Sequence, residues 1–346
     1  MPTAPRDLLL HDIEEYMRTY ITLCYGADSN AARGGGTVQQ YLQGNGFNYG
    51  NRHTEVMLAA PLVHAYFNVD LAGRNTDIFG FSRDRVKVEI GPDDGSHTGV
   101  PMYLIPYREG NARGVKLPSQ AQDGLAEVFA ITAAQDGCTF EVFGATASPY
   151  CSHSNCKDKA ANLRQDKMKD RVDKLHARFL QAEQAGNVGF AMPAGPTRSQ
   201  FQNYSDNRGA PPDGPIRQVN YSDGAKMAVN GIANQSVKGN RVETGPFTHR
   251  RYHIRLTDQS RNEILGPQVG AGQVIARRRQ GVWSFYFQEH ASLYFHVVAV
   301  DKVGPKAERK RTTISTNNGK GADAILCSGK LWPNYTSQYL DLDDYN

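Results

Sequence analysis

Apolar positions along the chain follow two alternating rhythms. Near the start, Leu9, Ile13, Met17 and Ile21 recur every fourth residue, which aligns them on one stripe and predicts a helix over 6–24. A second helix is predicted over 53–67. Between 78 and 156 the period shortens. "RVKVEI", "PMYLIPY", "LAEVFAIT", "CTFEVFG" and "PYCSHS" are short runs rich in β-branched and aromatic residues, separated by Gly, Pro and Asp. The helical rhythm returns over 157–185, where Met168, Val172, Leu175 and Phe179 stand among Lys, Asp and Arg, and Gly186 is a natural stop. Residues 193–240 are rich in Gly, Pro, Asn and Ser and read as a loop or linker. Beyond them "RRYHIRLTD", "GQVIARR", "VWSFYFQE" and "LYFHVVAVD" are strand-like again, ahead of a polar, acidic tail.

Short strands that follow one another without intervening helices favour an antiparallel sheet over βαβ units. The expected fold is therefore α+β: a predominantly antiparallel, mixed sandwich-like β core with flanking helices. The pattern divides the chain into an N-terminal helix with a glycine-rich loop (1–50), a core carrying the candidate chemistry (51–190), the loop or linker (191–240) and a strand-rich C-terminal lobe (241–346).

Composition narrows the function classes. With 346 residues, 39% hydrophobic content, 34 Gly and 17 Pro, the chain can build a sizeable core with many loops. It contains no apolar run near 18 residues, so no helical membrane span is expected. The 39 basic and 35 acidic residues nearly balance. Basic clusters at "HRRYHIR", "ARRRQG" and "KAERKRTT" lack the interleaved aromatics that stack bases, so they read as a solvated face and not as a nucleic-acid surface. The glycine-rich stretch 27–51 contains no GK[ST], which excludes a P-loop. The N-terminus has one basic residue before a three-leucine patch, unlike a Sec signal. The expectation is a bacterial cytoplasmic protein exported by a route without a cleavable signal. An odd number of cysteines, five, argues against a disulfide scaffold.

Three of those five fall within "DGCTFEVFGATASPYCSHSNC", at Cys138, Cys151 and Cys156. Cys138 opens a predicted strand after Gly137, and His153 closes the next extended run fifteen positions on. A bend at 145–148 would pair the two strands and set thiol beside imidazole, as a nucleophile and its base require. Gly137 leaves the backbone open to a substrate. The third, orienting group stays open between Asn155 and a backbone carbonyl.

Over residues 125–156, "GCT" followed by a strand-borne histidine fifteen residues after the cysteine resembles the catalytic region of the cytotoxic necrotizing factors and dermonecrotic toxins. These bacterial toxins deamidate or transglutaminate a glutamine on host small GTPases. The resemblance implies Cys138 as nucleophile, His153 as base, no cofactor and no metal. It also implies a protein substrate, a glutamine side chain of a host protein, and a toxin or effector role. A rival pattern sits in the same stretch. "HTE" at His53–Glu55, opening the second predicted helix, and the thiols of Cys151 and Cys156 match the donor types of a zinc-dependent base deaminase, with Glu55 as proton shuttle. The extra Tyr150 between Pro149 and Cys151, and the long gap from His53, depart from that pattern. A third reading is a non-enzymatic binding protein in which Cys138 and His153 pair by chance.

Overall fold

The computed structural model describes residues 4–24, 31–47, 54–57, 59–70, 83–108, 111–134, 139–143, 145–154, 177, 216–219, 252–257, 260–264, 267–294, 296–300, 311–315, 321–333, 336 and 338–339. All but residue 177 of the helix expected over 157–185, and most of the loop expected over 193–240, lie outside them.

The helix expected over 6–24 is instead two short helices and a strand. α1 (Pro5–His11) begins on a proline, whose missing N–H is no loss in a first turn. Asp12 is extended, and its carboxylate accepts a hydrogen bond from the Glu15 N–H at 3.0 Å, capping α2 (Ile13–Thr19). The chain then straightens into β1 (Tyr20–Cys24). Leu9, Ile13 and Met17 keep their common face and are buried; Ile21 is buried from the strand.

The helix expected over 53–67 does not form: β2 (Thr54–Met57) and β3 (Leu62–Val69) stand there. Pro61 would sit in the interior of such a helix, where it removes a hydrogen bond and clashes with the preceding turn. Val63 and Ala65 are buried at a period of two while Leu62 is exposed, the alternation of a strand. Between β1 and β2, α3 (Val38–Gly44) starts on a reciprocal cap between Thr37 and Gln40.

The remaining elements of the first half are β4 (Asp84–Gly91), β5 (Val100–Ile105), β6 (Ala112–Lys116), α4 (Gln120–Asp123), β7 (Glu127–Thr132), β8 (Thr139–Phe143) and β9 (Tyr150–Ser154). Then follow β10 (Ile216–Val219), β11 (Tyr252–Thr257), β12 (Ser260–Ile264), β13 (Pro267–Arg279) and β14 (Val282–Tyr294). Last come β15 (His296–Val300), β16 (Arg311–Ser315), β17 (Gly321–Trp332) and β18 (Gln338–Tyr339). β11 pairs with β12 and β15 with β16 as two-stranded ribbons.

The architecture is α+β on two main sheets. A nine-stranded sheet runs β1-β4-β3-β5-β7-β13-β14-β17-β18, and a five-stranded sheet runs β10-β8-β9-β6-β2. Among the described strands, β1–β4, β2–β6 and β5–β7 pair in parallel and all other pairs are antiparallel. β13 pairs with β7, so the large sheet crosses the segment 191–240 and takes strands from both halves of the chain. β13 turns into β14 through Gln280 and Gly281, both at positive φ (53° and 76°), as a two-residue type I′ hairpin requires.

Alternation on the large sheet separates two cores. Val128 and Ala130 of β7, Val274 and Ala276 of β13, and Phe285 of β14 face Val115, Phe140, Val142 and Cys151 of the small sheet. Phe129, Ile131 and Ile275 point the other way and pack with Leu9, Ile13, Tyr16, Val38 and Leu42 of the helices. The layers are thus helices, large sheet and small sheet.

The large sheet also curls until its ends meet. The Arg83 N–H donates to Asp323 O at 2.8 Å, Arg85 pairs with Asp323 at 2.5 Å, and the Thr22 N–H donates to Gln288 Oε1 at 2.8 Å. Gln288 Nε2 returns hydrogen bonds to Met17 O and Tyr20 O, both at 2.9 Å. A second buried polar network pins the segment 118–125 to the sheet. Arg278, fully buried over the Trp283 ring, donates to Pro118 O, Leu125 O and Asp123 Oδ1. Burial alone would raise the Asp123 pKa, but hydrogen bonds from Arg278 and Tyr103 outweigh it and hold the carboxyl below its ordinary value.

Candidate functional site

β8 and β9 form an antiparallel hairpin, with Thr139 opposite Ser154 and Phe140 opposite His153. The bend between them is closed by a hydrogen bond from the Ser148 N–H to Ala145 O at 3.1 Å. Strand pairing here follows from "TFEVF" and "YCSHS", whose inward residues Phe140, Val142 and Cys151 share the core between the sheets. His153 lies on that same inward face, two positions from Cys151.

The structure places His153 at the centre of a small polar group inside the sandwich. It is 0% exposed. Its Nδ1 is 2.7 Å from Thr132 Oγ1, at the end of β7 on the facing sheet. The Tyr107 ring lies 4.4 Å away, centroid to centroid. Across the small sheet, Arg113 of β6 is the register neighbour of His153 on the side opposite Phe140, and is itself buried. Burial pushes the His153 pKa down to about 3, because the imidazolium would lose its hydration. The ring is therefore neutral at physiological pH. If Nδ1–H donates to Thr132 Oγ1, Nε2 carries the free lone pair, and Nε2 has no hydrogen-bond partner among the described residues.

Cys138 lies outside the described residues, immediately before β8. So do His53, Asn155 and Cys156. Cys151 is buried, its thiol pKa is raised well above the ordinary value by burial, and its Sγ is 3.9 Å from Val115 O. Cys24 is buried in β1, with its pKa pushed up to about 12 for the same reason. Neither thiol is a ready nucleophile at neutral pH. Glu55 stands on strand β2, not at the start of a helix, because the helix expected there is replaced by two strands. The geometry attached to His53–Glu55 by the base-deaminase pattern is therefore not present at Glu55. Among the described residues no three His, Cys, Asp or Glu side chains gather as a metal site.

The residues that sequence reasoning missed are Thr132, Tyr107 and Arg113. β6 escaped notice because "ARGVK" is short, polar and broken by Gly114. Thr132 reads only as the last residue of a strand; its role depends on which sheet faces it. No protein-family model matches the chain, and no curated protein sequence is found similar to it.

Proposed function

We propose that the chain is a cysteine-dependent glutamine deamidase, or a closely related thiol acyl-transfer enzyme, acting on a protein glutamine as a bacterial toxin or effector. Cys138 is the nucleophile, His153 the base and Thr132 the group that orients it. The observation that carries this reading is the His153 ring itself. One nitrogen is tied to Thr132, while the other is buried with no partner among the described residues. A buried imidazole nitrogen without a partner is costly and calls for a reason, and a proton-transfer role supplies one. The hairpin register supports the reading further, since the chain enters β8 one residue after Cys138, and β8 runs beside His153.

In this mechanism the Cys138 thiol gives its proton to His153 Nε2 and the thiolate sulfur attacks the carboxamide carbon of glutamine. The tetrahedral oxyanion collapses, the C–N bond breaks, and the imidazolium proton leaves with ammonia. A thioester remains. Water, deprotonated by the same nitrogen, opens it to glutamate and restores the thiol; an amine in place of water gives a cross-link. Neutral His153 is the form that this first proton transfer needs, and the thiolate left beside Nε2 raises the ring's proton affinity from the depressed value that burial alone gives.

Full burial of His153 favours a second reading, in which the ring is a core residue and the protein binds partners without catalysis. Thiol reactivity separates the two. Iodoacetamide should alkylate Cys138 with a pH profile that begins below the ordinary thiol pKa of about 8.5, and ammonia release from a eukaryotic lysate should fall by about 10²-fold or more in Cys138→Ser. An ordinary thiol profile at Cys138, together with a fully active Cys138→Ser protein, leaves the binding reading.

A further inference from the structure

Gln273 has no part in the steps above, yet it is fully buried in β13 and reaches the end of β7. Its Nε2 donates to Thr132 O at 2.6 Å and to Val274 O at 3.1 Å, while its Oε1 is buried with no partner among the described residues. An orphaned buried acceptor costs about 1–3 kcal/mol, and methionine or leucine would fill nearly the same volume without it. What the amide supplies and an apolar side chain cannot is the donor to Thr132. Two residues further on, the Ala134 N–H donates to Cys24 O at 2.6 Å. The last turnout of β7 is thus held by a side chain from β13 and by the backbone of β1, just where the chain departs toward Cys138. Thr132 is gripped through its carbonyl while its hydroxyl holds His153 Nδ1.

We infer that Gln273 is a positioning residue for the Cys138–His153 site: it fixes Thr132, and through Thr132 the direction of the His153 ring. The inference rests on the deamidase reading above. It assigns to the C-terminal part of the chain, which joins the large sheet through β13, a share in chemistry carried by the first half. Gln273 touches neither substrate nor thiol in this scheme. It acts only through Thr132, so its removal should alter the basicity of the His153–Cys138 pair and not merely the melting temperature.

The test is the pH profile of Cys138 alkylation by iodoacetamide in the full chain, followed by peptide mass spectrometry, with thermal melts in parallel. Gln273→Met should move the inflection upward by up to about one pH unit, the scale of one lost hydrogen bond in the chain that holds the ring. Thr132→Val should move it similarly, and the double variant should be little worse than either, because the two residues act in series. If Gln273→Met does not fold, Gln273→Asn keeps the amide but loses its reach and should give the same shift. A variant that melts lower yet keeps the wild-type inflection overturns the inference and leaves Gln273 a packing residue. An ordinary thiol profile in the wild-type protein overturns the deamidase reading and this inference with it, whereas a shift in Thr132→Val but not in Gln273→Met overturns this inference alone.

Discussion

His153 and His290 are both buried strand histidines, and both have an Nε2 with no hydrogen-bond partner among the described residues. Burial depresses both, to about 3 for His153 and about 4 for His290. Their neighbourhoods differ. His153 meets the Thr132 hydroxyl and the Tyr107 ring, with buried Arg113 as its register neighbour. His290 sits where the curled sheet closes, beside the Arg85–Asp323 ion pair; after burial, Arg85 lowers its pKa further and Asp323 raises it. Burial and a low pKa therefore do not mark a catalytic histidine by themselves. The difference lies in orientation: Thr132 holds one nitrogen of His153 and so sets the direction of the ring, whereas His290 belongs to a charged seam that holds two ends of a sheet together.

The largest expected effect separates the two rings directly. His153→Gln should reduce ammonia release from a eukaryotic lysate by about 10²-fold or more, the range of general-base removal. His290→Gln should leave it within a few-fold. Equal losses in both would make the proposed site a by-product of fold stability. Next comes the seam. Asp323 is nearly buried and Arg85 partly exposed, so Asp323→Asn should cost about 2–3 kcal/mol in urea unfolding, somewhat less than a fully buried pair would. Thr132→Val should cost about 1 kcal/mol, the scale of one hydrogen bond. The seam should thus dominate stability while Thr132 dominates reactivity; the reverse ranking would dissolve the distinction.

Acid titration sharpens the comparison further. Each histidine has a folded pKa below the ordinary value of about 6.5, so the unfolded chain binds more protons between the two values. Stability is complete above about pH 6.5 and is lost as pH falls toward about 4 for His290 and about 3 for His153. In this window each buried histidine contributes a slope of up to about 1.4 kcal/mol per pH unit. Unfolding free energies between pH 7 and 5 should show this decline, and His290→Gln should flatten it by about one proton. An unchanged slope would mean that His290 already takes up its proton in the folded state. The smallest effect is expected at Cys151, whose thiol is buried and inert. Cys151→Ala should keep activity within a few-fold and cost about 1 kcal/mol, a value readable from thermal melts. A large loss of activity there would move the essential thiol away from Cys138.

The strands were the most legible part of the chain. "RVKVEI" and "VWSFYFQE" carry period-two burial and "LAEVFAIT" is buried on both faces; all three are rich in β-branched and aromatic residues, and they became β4, β14 and β7. The hairpin of β8 and β9 was equally readable, because the bend between the two runs leaves little choice of pairing. The helical expectations were weaker. Spacing of four at Leu9, Ile13, Met17 and Ile21 matched a helical stripe, yet Asp12 interrupts it as a cap and β1 takes over at Tyr20. Over 53–67, Pro61 and the alternation of Val63 and Ala65 outweighed the supposed helical rhythm.

Local pattern by itself determined which segments are extended, which residues turn inward on each strand, and that His153 shares a hairpin with the strand following Cys138. These properties depend on neighbours a few residues apart, and their period is written in the order of side chains. Tertiary structure alone decided that β13 lies beside β7, that Thr132 faces His153 across two sheets, and that Gln273 reaches the Thr132 carbonyl from 141 positions along the chain. It likewise brought Arg85 to Asp323, 238 positions apart. Such pairings arise from the curl of the large sheet and the packing of one sheet on another, where burial of apolar faces selects the partner and polar groups pair with whatever that packing sets opposite them.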